Sequence, residues 1–155
     1  GMVYNPGEAN SKVVVDALKK LLPEMGMELV EAGAPRTVDV GNAARSLVGK
    51  VDVIYTNTDN NVVSAYEALA KVGNDTKTPL ISVERGAVAA LGIDYYDMGK
   101  QTGRMVARIL DGANPGEIKV ETSDNLELYV NPLAAAKQGI KLSDSLIQSA
   151  SKVIE

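Results

Sequence analysis

Apolar positions along the chain alternate between short runs and helical stripes. Residues 2–5 form a short apolar run that Asn5-Pro6-Gly7 breaks. From Ser11 the spacing turns helical, with Val14, Leu18, Leu21 and Leu22 at the i, i+4, i+7, i+8 positions of one face. Pro23 and Gly26 end that helix. Residues 27–32 predict a second strand. Thr37 or Asp39 can cap a helix whose Val40, Ala43, Ala44 and Leu47 form a stripe closed by Gly49. Residues 51–56, rich in β-branched side chains, predict a third strand. A polar loop, Asn57-Thr58-Asp59-Asn60-Asn61, leads into a helix carrying Val62, Tyr66, Leu69 and Val72 as far as Gly73. Residues 79–83 and 87–93 predict strands four and five. A further helix then turns Met98, Thr102, Met105, Val106, Ile109 and Leu110 inward, and Gly112 with Asn114-Pro115-Gly116 stops it.

Strand–helix alternation of this kind implies a parallel sheet covered by helices on both faces, and right-handed crossovers leave few topologies. The expected fold is an α/β, three-layer, Rossmann-like lobe of about five parallel strands. The rhythm breaks after residue 117. Residues 126–130 predict one more strand, Asn131-Pro132 opens a short helix through Ala136, and Ser143 opens a last one to Ile154. The tail's apolar set (Leu133, Ile140, Leu142, Leu146, Ile147, Val153) is surplus to a five-strand sheet. It reads as a piece that packs against something else. The chain therefore divides into 1–117, a lobe, and 118–155, a returning segment.

Composition narrows the chemistry. With 155 residues the chain is long enough for one well-packed core. A net charge of -4 argues against a general nucleic-acid or anionic-membrane binder, which needs a basic face. There is no Cys, His, Trp or Phe, so thiol nucleophiles, imidazole bases and ordinary zinc sites are excluded. No stretch approaches the roughly 20 apolar residues of a membrane helix. The chain opens straight into apolar sequence at Gly1-Met2-Val3-Tyr4, without a signal-peptide pattern, and is expected to be cut from a longer protein.

Ligands of open α/β sheets sit outside the carboxyl ends of the strands, which singles out loops 5–11, 57–61, 82–85 and 94–96. In the first, Asn10 and Ser11 could donate to a carboxylate at a helix N-terminus, or serve only as caps and turns. The second holds more polar side chains than capping needs, and Asp59 could meet a ligand ammonium or simply favour the helix dipole. One ring of Tyr95-Tyr96 is expected in the core and the other toward a cleft. Asp52 and Asp59 are a weak pair for a hard cation. Lys100, Arg104 and Arg108 read as a solvated stripe, and Gly99 and Gly103 as marks of close packing. No GxGxxG, Walker or GxSxG pattern is present, nor the acidic pair of a phospho-receiver domain.

Three runs carry a resemblance: Val3-Tyr4-Asn5-Pro6-Gly7-Glu8-Ala9-Asn10-Ser11; Ala44-Arg45-Ser46-Leu47-Val48-Gly49-Lys50-Val51-Asp52 with Thr58-Asp59-Asn60; and Ala87-Val88-Ala89-Ala90-Leu91-Gly92-Ile93-Asp94-Tyr95-Tyr96-Asp97-Met98-Gly99. Together they resemble the second lobe of ABC transporter substrate-binding proteins, in the group that includes binders of aromatic amino acids. The resemblance implies an exported receptor of two Rossmann-like lobes joined by a hinge, which traps a small molecule and presents it to a membrane permease. It implies no enzyme activity, no cofactor and no metal, an extracytoplasmic location, and an amino acid as ligand. It places Glu8, Asn10, Ser11, Thr58, Asp59 and Asn60 in the cleft, with Asp59 or Glu8 for an amino group and Asn10, Ser11 and Thr58 for hydrogen bonds; Asn57, from the polar loop itself, completes the candidate set. Family members have several more residues around Ser82-Val83-Glu84-Arg85-Gly86, including an acid facing the cleft. Either the cleft is trimmed here or residues of that loop are missing, and Glu84 is the stand-in. The competing readings are a fragment of an α/β metabolic enzyme, which would need a carboxylate pair or phosphate loop, and the sensor lobe of a transcription regulator. Self-association through the tail is a further expectation.

Overall fold

The computed structural model describes residues 1–82, 84, 86–123 and 125–154. Four short parallel strands, β1 (Met2–Tyr4), β2 (Glu31–Gly33), β3 (Ile54–Tyr55) and β4 (Leu80–Ile81), lead to a longer fifth, β5 (Ala89–Ile93). They are joined through α1 (Ala9–Leu21), α2 (Val40–Leu47), α3 (Asn60–Ser64) and α4 (Tyr66–Thr76). After β5 come α5 (Tyr95–Leu110), β6 (Leu126–Val130), α6 (Pro132–Lys137), α7 (Asp144–Ser149) and β7 (Lys152–Val153). The sheet order is β2-β1-β3-β4-β5-β6-β7. Strands β1 to β5 pair parallel, as expected. The sheet is wider than expected, because β6 adds antiparallel to β5 and β7 parallel to β6.

The main core follows from the alternation. Val3, Ile54 and Leu80 from three strands meet Val40, Ala44 and Leu47 of α2 with Val62, Leu69 and Val72 of α3 and α4. Met2, next to Val3, is fully buried outside this cluster, since adjacent strand residues point to opposite faces. Gly73 lets α4 lie close to β4 and the turn before it: a Cβ there would stand 2.9 Å from Leu80 Cγ and from the Thr78 carbonyl oxygen.

Several expected bounds shift. The second strand lies at Glu31–Gly33 rather than 27–32. The expected helix after the polar loop is two, α3 and α4, broken at Ala65. The last helix ends at Ser149, and the chain then extends to form β7. Val83 and Arg85 of the fourth predicted strand and its loop lie outside the described residues.

Two larger corrections concern the second half. The tail docks on this sheet: Leu142 and Ala135 pack with Val88 and Val130, and Leu146, Ile147 and Ala150 lie against them. Leu133, Ile140 and Val153 stay exposed. Conversely, the expected inward face of α5 is not buried. Met98 and Met105 are half-buried, whereas Thr102, Val106, Ile109 and Leu110 are exposed, Leu110 at 82%. The reason is position. β5 and β6 pair from Ala89↔Val130 out to Ile93↔Leu126, and everything between them, α5 included, sits at the far end of that ribbon. There α5 is tied to the segment after it by Gln101 to the Thr122 carbonyl, Arg108 to Glu121 and Asn125 to Asp97. A Cβ at Gly99 or Gly103 would meet nothing within 4 Å, so close packing is not their role in this chain.

Candidate functional site

In a sheet ordered 2-1-3-4-5 the crevice opens where the connections diverge, between β1 and β3. The loops leaving those two strands are bonded to each other. Asp59 closes the join. Its Oδ2 accepts from the Asn5 amide at 2.7 Å and the Ser11 hydroxyl at 2.6 Å, and its Oδ1 from the Asn61 and Val62 amides at the start of α3. Asn57 Nδ2 in turn donates to the Ser11 hydroxyl oxygen at 3.3 Å. Ser11, Asn57 and Asp59 are buried, so three of the expected ligand groups face each other in a sealed latch. Asp59 has its four bonds within the protein and acts here as cap and clasp.

The accessible members stand above that latch. The Glu8 carboxylate accepts from the Asn60 amide and from Asn60 Nδ2 at 3.0 Å. Asn10 Nδ2 donates to the Thr58 carbonyl at 3.0 Å. Asn10, Thr58 and Asn60 are exposed and Glu8 half-buried. Asp52 and Asp59 flank β3 at opposite ends, which removes them as a cation pair.

Beside this rim lies a cleft of about 430 Å³. Thr58 and Glu84 line it on the polar side; Leu91, Ile93, Tyr95, Leu126, Tyr129 and Ile154 supply most of its apolar wall. Tyr129 and Ile154 were not singled out from the sequence, because only the pairing of β6 and β7 onto β5 brings them there. Neither ring of Tyr95-Tyr96 is core: Tyr95 lines the cleft, and Tyr96 lies under Lys100 Nζ at 4.4 Å. The basic stripe is largely paired, Lys100 with Asp97 at 2.6 Å and Arg108 with Glu121. Below the loop that carries Glu84, the Tyr66 hydroxyl is buried with no hydrogen-bond partner among the described residues. Burial pushes it up to about 12, although the nearby Ser82 hydroxyl opposes the shift.

A polar rim at a strand-end crevice over an apolar pocket has the general features of a small-molecule site. The chain belongs to the ABC transporter substrate-binding protein family, whose description matches residues 1–154. It is 40% identical over 136 residues to a tyrosine-binding protein of Clostridioides difficile, covering 84% of this chain and 39% of that protein. A conserved domain protein from Vibrio cholerae has a similar structure, with a TM-score of 0.90 at 40% identity. So has an ABC domain in complex with L-Trp from Streptococcus pneumonia, with a TM-score of 0.88 at 28% identity. Each of these two matches covers 99% of this chain and 54% of the other. The chain thus spans about half the length, or less, of these relatives.

Proposed function

We propose that this chain is the second lobe, with the returning segment, of a solute receptor for an ABC import system, and that its ligand is an amino acid, aromatic by preference. One observation carries the reading: the polar rim of Glu8, Asn10, Thr58 and Asn60 adjoins an apolar cleft that presents the rings of Tyr95 and Tyr129. The rim suits the charged end of an amino acid and the cleft its side chain. Glu8 and Glu84 meet the ammonium group. Asn10 and the first-turn amides of α1, which have no acceptor within their helix, meet the carboxylate. The names of the tyrosine-binding relative and the L-Trp complex support the same ligand class.

On this reading the protein captures its ligand without chemical change, works outside the cytoplasm and hands the ligand to a membrane permease. The exposed apolar face of α5 rests on the other lobe. The division falls within the β5–β6 ribbon rather than at residue 117. Closure of the two lobes then covers the ligand. Isothermal titration of the two-lobe protein with a panel of amino acids tests the reading. Saturable binding of tyrosine or tryptophan is the expected result; turnover of any panel member, or silence toward all of them, overturns it.

A further inference from the structure

Residues 82–88 join two parallel neighbours, β4 and β5, whose register pairs Ile81 with Ala89. Parallel strands are ordinarily linked by a dozen residues or more, usually through a helix. Among its described residues the connection has no helix; the Glu84 amide donates to Ser82 Oγ at 3.2 Å and the Ala87 amide to the Glu84 carbonyl at 3.5 Å, and its remaining bonds come from outside the loop. Some come from the strands it joins: the Val88 amide donates to the Leu80 carbonyl, and the Ser82 amide to the Ala89 carbonyl. The others come from the C-terminal segment. The Asn131 amide donates to the Val88 carbonyl at 3.0 Å. Gln138, fully buried, makes three bonds with one amide group. Its Oε1 accepts from the Leu80 amide at 2.8 Å, and its Nε2 donates to Asn74 Oδ1 at 3.2 Å and to the Gly86 carbonyl at 3.1 Å.

We infer that Gln138 is a positioning residue of the ligand cleft, fixing the short β4–β5 connection so that Glu84 stands at the cleft wall. The inference rests on the ligand-binding reading of that cleft. The geometry demands an amide. One side chain must accept and donate at once in a site closed to water; Lys and Arg cannot accept, Leu can do neither, Met offers only a weak sulfur acceptor and no donor, and an ionised Glu cannot donate. Gly86 adopts φ +96°, a backbone that a side chain would strain, and its carbonyl is the point the amide holds. Gln138 touches no cleft atom itself and acts through the loop.

Residue-resolved amide hydrogen exchange on the full chain tests this, together with titration by L-tyrosine and L-tryptophan followed at the Thr58 and Glu84 signals. In Gln138→Met, exchange at Leu80, Ala87 and Val88 should rise at least about tenfold while Val3 and Ala32 keep their protection. Ligand-induced shifts at Glu84 should weaken and those at Thr58 remain. Gln138→Glu, which keeps an acceptor for the Leu80 amide, covers the case in which the first variant does not fold. Once its carboxyl is ionised, Leu80 should stay protected while Ala87 and Val88 loosen. Unchanged exchange in the loop, or an equal rise throughout the sheet, overturns the inference. A wild-type chain whose Thr58 and Glu84 signals ignore both amino acids counts against the ligand reading, and the exchange pattern then decides the positioning role alone.

Discussion

The Ser11 hydroxyl meets Asp59 Oδ2 at 2.6 Å, and neither residue is open to solvent. A carboxylate so placed is held by hydrogen bonds from one loop and from the first turns of two helices. It therefore fastens the β1 and β3 loops to each other, and the rim above inherits its shape from that fastening.

Asp59→Ala should cost about 3 kcal/mol, the scale of hydrogen bonds to a buried charged group together with a lost helix cap. Urea unfolding measures it. Ligand contact alone would leave stability unchanged, so a loss near zero would restore Asp59 to the ligand.

Glu8→Gln and Asn60→Ala lie on the accessible rim and should change stability by no more than about 0.5 kcal/mol. Both should weaken capture of an amino acid by the two-lobe protein, read by titration.

Tyr66→Phe removes a buried hydroxyl without a described partner and should be neutral or stabilising by about 1 kcal/mol at neutral pH. The alkaline limb carries a sign. With Tyr66 raised from 10.0 to about 12 in the folded protein, the unfolded chain loses its proton first, so stability falls between those values. The variant should lack that part of the fall, about 2 to 3 kcal/mol. Unfolding curves of the two proteins at pH 9 and pH 12 decide it.

Leu69, a fully buried residue of α4 in the cluster shared with α2 and the sheet, sets the scale of the main core. Leu69→Ala should cost about 3 kcal/mol.

The exposed face of α5 should drive concentration-dependent association of the isolated chain. Replacing Val106 and Leu110 by Lys should reduce it in sedimentation without loss of stability. Association that persists would return the contact to the tail, where Leu133, Ile140 and Val153 remain exposed.

The succession of five parallel strands and the polar loops that leave β1 and β3 were legible from periodicity and turn chemistry, which are local. Three things were not. Whether Leu142 or Leu110 finds cover depends on which way a segment is carried by strand pairing, and both have the same apolar signature in sequence. Likewise Asp59 and Asn60, adjacent in one polar loop, split into a sealed clasp and an open rim because the helix start turns one inward. Gln138 gave no local signal at all, since its partners are 52 to 64 residues away.

The ribbon of β5 and β6 is the longest pairing in the sheet, and it leaves the body as two antiparallel chains bonded side by side. Such a pair resists stretching along its length, because extension of one chain would shear the ladder it shares with the other. It yields instead to bending across its thin dimension. Whatever is mounted at its far end is held like a plate on a leaf spring, free to tilt about one axis and stiff against slipping along the other.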